Sequence, residues 1–263
     1  MNGFRVPGIL GVGVSTTGFV APDRCSIRFS PNTPALVGID FVDQLVPLGW
    51  PVVVDADLNA AALGEWAFGA GRGASRLLVA TIGTGLGAGV IVNNQVVRFS
   101  AHMAGDTGHV ILDPTGPRCT AGCRGCAEAF VSTPGLLRTY AQAAKRKSGS
   151  SANSRLDLEI EGATARTVIA GALAAEPVAL AALTEVGGWA GQWLASLAPI
   201  FLPERIVLCG GIAQAGEALL LPCRARFAEL VGPEYTCAIV TGELGALAGA
   251  VGAAVPFLID AID

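Results

Sequence analysis

Residues 105–128, GDTGHVILDPTGPRCTAGCRGCAE, gather one of the chain's two histidines and three of its seven cysteines into one short stretch. His109, Cys119, Cys123 and Cys126 are spaced H-x9-C-x3-C-x2-C. One imidazole with three thiolates is a donor set suited to tetrahedral zinc. Four protein ligands leave no position for water, so such a metal would be structural and would fix the segment that carries Glu128. The other reading is three free thiols close to a histidine.

A second group lies nearer the amino terminus. In PVVVDADLNAAALGEWAFGAG, residues 51–71, Asp55 and Asp57 stand at the carboxyl end of an apolar run. A carboxylate where a strand opens into a helix occupies the usual ligand position of an α/β domain, which makes Asp57 a candidate general base. Asp is equally a good helix N-cap, and Asp55 is expected to take the capping or solvent-facing role. A third group, TIGTGLGAG at 81–89, alternates glycines at 83, 85, 87 and 89. With strand periodicity all four point to one face and leave bare backbone there. Backbone N–H groups around them, with the hydroxyls of Thr81 and Thr84, can hold phosphate oxygens; the same glycines can instead let another backbone pack closely. Neither a GxxxxGK[ST] loop nor a GxGxxG fingerprint occurs.

These groups need strands and helices in alternation to position them, and the hydropathy pattern supplies both. ILGVGVSTTGFV, residues 9–20, reads as a buried strand, and residues 51–54 as an apolar strand followed by an Ala-rich helix closed by glycines. VIV and QVV flank Asn93 and Asn94, a hairpin turn because Asn tolerates positive φ. From about 129 to 200 the pattern is helical, with a polar break near 148–155 and with Trp189 and Trp193 spaced for packing. RIVLCGGIAQAGEALLLPCRARF repeats the order strand, glycine pair, helix, and a Gly/Ala-rich helix covers 243–254. The alternation predicts an α/β protein. Cys25, Cys209, Cys223 and Cys237, scattered in apolar settings, are expected as small core residues.

With 263 residues, 52% of them hydrophobic and 14% charged, the chain can bury one large core or two modest ones. A net charge of -4 argues against a nucleic-acid partner. The one basic cluster, Lys145-Arg146-Lys147, leads into a polar stretch and reads as a solvated loop. The longest apolar run, 244–259, is glycine-broken and shorter than the ~20 residues of a membrane span. No signal-peptide pattern occurs, so the expected compartment is the cytoplasm, with no membrane partner.

In order along the chain, GVGVSTTGFV, SPN at 30–32, VVVDADLNAAALGE, TIGTGLGAGV, GDTGH with CTAGCRGCAE, and IVLCGGIAQAG at 206–216 resemble the ROK family. That family (repressor, open reading frame, kinase) includes bacterial glucokinases and other ATP-dependent sugar kinases, and the resemblance covers nearly the whole chain. It implies a two-lobed actin-like ATPase (ribonuclease H-like) α/β fold with sugar and nucleotide in the cleft. Residues 1–74 would form the small lobe with Asp57. Residues 75–263 would form the large lobe with the phosphate hairpin, zinc loop and adenosine motif, the last helix packing back on the small lobe. Asp57 would accept the proton of a sugar hydroxyl, usually the 6-OH, as it attacks the γ-phosphate of MgATP. Gly83, Thr84 and Gly85 would hold phosphates, and Gly210 and Gly211 would lie near the adenosine. Gly18, Asn32, Asp106, His109 and Glu128 would contact the sugar, with His109 also serving a structural zinc. A small sugar is thus the expected substrate and a homodimer the expected assembly.

Four features depart from the family pattern. The DxGGT phosphate loop near the amino terminus has no counterpart, and ILGVGV lies well inside the pattern, so an incomplete N-terminal lobe is expected. Ala56 replaces an Asn, Asp106 a Glu, and Ala121 the second Cys of a C-x-C pair, with Cys123 as the replacement ligand. Two functions follow: an ATP-dependent hexose or amino-sugar kinase, favoured by Asp57, and a catalytically inactive ROK-derived sugar-binding or regulatory protein, favoured by the absent loop.

Overall fold

The computed structural model describes residues 8–30, 33–45, 47, 49–98, 106–148 and 162–258. Two parallel strands, β1 (Val12–Thr16) and β4 (Val52–Ala56), pair from Val12 with Val52 to Thr16 with Ala56. Between them the chain forms an antiparallel ribbon, β2 (Phe19–Val20) with β3 (Ile27–Phe29), and a short helix, α1 (Phe41–Leu45). β4 runs directly into α2 (Asp57–Phe68). A five-stranded sheet follows, in the order β7-β6-β5-β8-β9. Its strands are β5 (Arg76–Ile82), β6 (Leu86–Val92), β7 (Gln95–Val96), β8 (Arg205–Cys209) and β9 (Ala238–Thr241). The remaining helices are α3 (Ala127–Val131), α4 (Thr133–Ser148), α5 (Ala165–Leu173), α6 (Pro177–Phe201), α7 (Glu217–Val231) and α8 (Ala248–Ala254). Strands and helices alternate as the α/β pattern predicts.

The chain forms two compact units, each assembled from separated segments. One comprises Met1–Val79, Gly89–Gly105 and Gly242–Asp263, the other Ala80–Ala88 and Asp106–Thr241. In the first unit α2 and α8 meet backbone to backbone. Ala60 and Ala62 are fully buried, and a Cβ added at Gly252 would lie 2.6 Å from the backbone nitrogen of Gly64 and would overlap the carbonyl of Ala60. Only small residues allow that approach.

In the second unit α6 is the central helix. Val178, Ala182, Leu183, Val186, Ala190, Trp193, Leu194 and Leu197 recur at helical spacing and are buried. Its start is fixed by the Glu176 carboxylate, which accepts the N–H groups of Val178 and Ala179 at 3.0 and 2.6 Å, and by Pro177, whose missing N–H costs nothing there. Both tryptophans pack, as their spacing suggests. The Trp193 indole donates to the carbonyl of Thr107 at 2.8 Å, and Trp189 stacks on Phe130 with centroids 4.0 Å apart.

Several expectations change in detail. β1 is half-buried rather than buried, because its first four residues keep partial exposure. The Asn93-Asn94 turn forms, with φ of 52° and 61°. Lys145, Arg146 and Lys147 form the last helical turn of α4 rather than a loop, where cations complement the C-terminal dipole; the polar break beyond Ser148 lies outside the described residues. Cys209 and Cys223 are buried core residues, whereas Cys25 and Cys237 stay half-exposed. The last helix begins as a tight turn at Gly245 rather than at residue 243. Among the described residues no single helix is long and apolar enough to cross a membrane.

Candidate functional site

β4 delivers Asp57 to the first position of α2. The preceding N-cap is Ala56, which has no side chain able to cap, so Asp57 is not the cap that its residue type allowed. Its carboxylate accepts the N–H of Leu58 at 2.9 Å. Asp57 is reached by solvent, yet the protein around it withholds enough water to push its carboxyl above the usual range, with the backbone N–H bond pulling the other way. No cation among the described residues pairs with it. A carboxylate that is accessible, unpaired and raised is in the state a general base needs.

Asp55 behaves differently from its expected role. It neither caps α2 nor faces solvent. It is 2% exposed and held by Arg24 and Arg98, two residues without a motif to mark them in the sequence.

The alternating glycines divide between their two readings. Gly83, Thr84 and Gly85 form the turn between β5 and β6, closed by the Gly83 N–H donating to Gly85 at 3.0 Å and by Thr133 donating to the Gly83 carbonyl at 2.7 Å. Only positions 87 and 89 lie in a strand, so the four do not share one face. A Cβ at Gly83 would meet nothing within 4 Å, and one at Gly85 would meet only the Glu128 carboxylate, at 3.0 Å for its nearest oxygen. The nearby Thr81 hydroxyl is buried without a hydrogen-bond partner. Open space beside bare backbone fits a phosphate. Gly89 serves close packing instead, since a side chain there would overlap the Leu58 carbonyl. The second glycine pair divides in the same way. Gly210, at φ 91°, is required by contact with the Ile82 backbone, while Gly211 borders open space.

The cysteine loop follows β7 in sequence and is tied by its backbone. Gly125 accepts the N–H groups of Leu112 and Asp113, and Cys119 donates to the Cys123 carbonyl at 2.9 Å. The loop brings ligand atoms of His109, Cys119 and Cys126 within 4.8 Å of one another. His109 Nδ1 lies 3.8 Å from Cys119 Sγ, close to the spacing of about 3.5–3.8 Å that two ligands take around a tetrahedral metal with bonds of about 2.0–2.3 Å. The donor set therefore fits zinc. Cys123 is outside that trio. Its thiol adjoins that of Cys119, and burial foremost, then Cys119, pushes it upward. Burial pushes the Cys126 thiol up to about 12, so a metal binding here must displace protons.

Three of the sugar-contact candidates cluster. Asp106 Oδ2 lies 3.6 Å from His109 Nε2, and burial raises the Asp106 carboxyl while His109 lowers it and Glu128 raises it further. Glu128 is 8% exposed; it accepts the Leu86 N–H at 3.3 Å and the Thr120 hydroxyl at 3.1 Å. Gly18 adopts φ 100° against the carbonyl of Phe29. Asn32 lies outside the described residues.

The chain is similar to known proteins over nearly its whole length. The model of the ROK family matches residues 5–258. The glucokinase of Streptomyces coelicolor is 34% identical over 258 residues, covering 94% of this chain and 79% of that protein. The structure of a ROK family glucokinase from Streptomyces griseus in complex with glucose and AMPPNP superposes with a TM-score of 0.81 at 34% identity, covering 94% of this chain and 81% of that one. The xylose repressor of Bacillus spizizenii is 28% identical over 250 residues, covering 93% of this chain and 60% of the repressor.

Proposed function

This chain belongs to the ROK family and has its actin-like ATPase fold, and from that premise we propose that it is an ATP-dependent kinase of a hexose or amino-sugar hydroxyl, usually the 6-OH. The observation that carries the reading is Asp57, an accessible carboxylate with a raised pKa and, among the described residues, no cation paired with it. Asp57 takes the hydroxyl proton as the oxygen attacks phosphorus. Gly83, Thr84 and Gly85 hold phosphate oxygens in the open space beside Gly83. Gly211 leaves room at the adenosine. Asp106, His109 and Glu128 orient the sugar, together with Gly18 and Asn32. Magnesium, bound with the nucleotide, supplies charge neutralisation of the phosphates. His109, Cys119 and Cys126, with Cys123 adjacent as a fourth donor, would hold a structural zinc, which would fix the loop that orients His109. The enzyme acts on a small sugar and works as a homodimer in the cytoplasm.

A regulatory protein that binds sugar without turnover is the second reading. Ala56 supports it, since a methyl group offers no hydrogen bond to a sugar, as does the similarity to a xylose repressor. Coupled measurement of ADP release with glucose, N-acetylglucosamine, N-acetylmannosamine and fructose separates the two. Turnover with one of them, reduced about 10²- to 10⁴-fold in Asp57→Asn, is the expected result. Saturable sugar binding with no ADP release from the wild-type chain would reject the kinase.

A further inference from the structure

We propose that Asp55, clamped between Arg24 and Arg98, is the positioning residue of the catalytic turn: it sets the direction in which α2 starts, and hence where Asp57 points, without touching substrate. The inference rests on the reading of Asp57 as the base.

The carboxylate of Asp55 is 3% exposed, and three surrounding segments converge on it. Oδ2 accepts Arg24 Nη2 at 2.9 Å, Arg98 Nη2 at 2.6 Å and Arg98 Nε at 3.2 Å. Oδ1 accepts the N–H of Ala56 at 3.0 Å and Asn59 Nδ2 at 3.2 Å. Five donors saturate a group with about four lone-pair sites. None is left for a ligand, which separates Asp55 from the catalytic residues.

The need for such a clamp follows from the helix start. Ala56 offers α2 no capping oxygen, so the first turn lacks the usual device that fixes its direction. Asp55 substitutes for it by gripping the residue before Asp57 through its N–H and the residue two beyond it through its amide. The grip is only as firm as the anchors. Arg24 sits at φ 59°, a conformation uncommon outside glycine. Its carbonyl accepts the Val54 N–H at 3.0 Å, and its Nε donates to the Val54 carbonyl at 3.2 Å, so one residue occupies both polar groups of that strand position. Arg98, just past β7, adds a two-pronged fork of fixed geometry. Charge-assisted bonds to a carboxylate shielded from water are short and directional. The strain at Arg24 marks a conformation held by its surroundings, as is common near functional groups.

The test uses Arg98→Met, Arg98→Lys and Asp55→Asn in the full chain. Arg98 is 37% exposed, so its replacement leaves the core packing intact. Hydrogen exchange without ligands should quicken in the peptide spanning residues 56–61 of Arg98→Met and Asp55→Asn while α6 stays protected. This readout requires no activity. In turnover, kcat should fall about 10- to 100-fold with the nucleotide KM unchanged, because a small misplacement of the base costs rate rather than binding. Arg98→Lys, which keeps the charge but loses the fork, should lie between wild type and Arg98→Met. Unchanged exchange at residues 56–61 in both variants would overturn the proposal, as would acceleration spread evenly over the whole chain or an equal loss in kcat and nucleotide affinity. If the wild-type chain turns over no sugar, the kinase reading fails, while the exchange pattern still decides whether Asp55 orders the start of α2.

Discussion

Gly252→Ala probes the scaffold beneath Asp57. The added methyl would lie 2.6 Å from the backbone nitrogen of Gly64 and closer still to the Ala60 carbonyl, whereas non-bonded carbon keeps about 3.5–4.0 Å from its neighbours. Both obstacles are backbone, so no side-chain rotation relieves the overlap and α2 and α8 must part by about 1 Å. Overpacking costs about 1–3 kcal/mol and occasionally more, and the better helix propensity of Ala returns up to about 1 kcal/mol. With backbone on both sides the cost falls at the upper end, a net loss of about 2 kcal/mol, or a Tm lower by about 4–8 °C for a chain of this size. Since α2 begins with Asp57, a shift of about 1 Å should also lower kcat up to about 100-fold. Thermal unfolding by circular dichroism and the ADP-release assay measure the two effects. Gly188→Ala in α6 is the control: its Cβ meets nothing within 4 Å, and it should stabilise by about 0.5–1 kcal/mol. A Gly252→Ala protein that melts with the wild type, or a Gly188→Ala protein destabilised equally, would refute the packing argument.

Other substitutions test the site. Gly83→Ala should leave Tm unchanged, since its methyl meets no atom within 4 Å, but should raise the nucleotide KM about 10-fold, equivalent to about 1.4 kcal/mol, by entering the space for phosphate oxygens. Elemental analysis should find one zinc per chain, lost in Cys126→Ser, whose buried thiol belongs to the close trio, and retained with weaker affinity in Cys123→Ser. The raised Asp57 carboxyl predicts that kcat/KM falls on the acid side at a pH above the ordinary carboxylate range, because the base must be ionised; that limb should disappear in Asp57→Asn. The same shift predicts a stability effect of opposite sign. The folded chain binds this proton more tightly than the unfolded one, so stability declines as pH rises from the ordinary carboxylate range through the raised value, and denaturant titrations should show less of that decline in Asp57→Asn. Ala56→Asn should lower the sugar KM about 5- to 150-fold by adding a hydrogen bond of about 1–3 kcal/mol.

Much of the site's inventory is legible in the residues. Asp57 stands where an apolar run gives way to an Ala-rich one, and strand and helix periodicities differ enough to mark the junction. Asn93-Asn94 announces its own turn because positive φ is a property of the residue itself. The His109, Cys119 and Cys126 donors lie within one short stretch, so a compact loop suffices to bring them together. In each case the controlling interactions are local, and local preferences survive without knowledge of the rest of the chain.

Tertiary structure decided what neighbouring residues cannot encode. Asp55 and Asp57 are the same residue type two positions apart, yet one is buried and clamped by Arg24 and Arg98, distant by 31 and 43 positions, while the other stays open to solvent. Gly83 and Gly89 belong to one alternating pattern, but only Gly89 faces the backbone of α2. Cys123 has the spacing of a ligand, yet its thiol adjoins Cys119 beside the close trio rather than within it. The types of groups and their order are properties of the sequence itself. Which of them are shielded from water, and which are left free to react, depends on partners far away in the chain, because burial and charge pairing arise only when the elements pack.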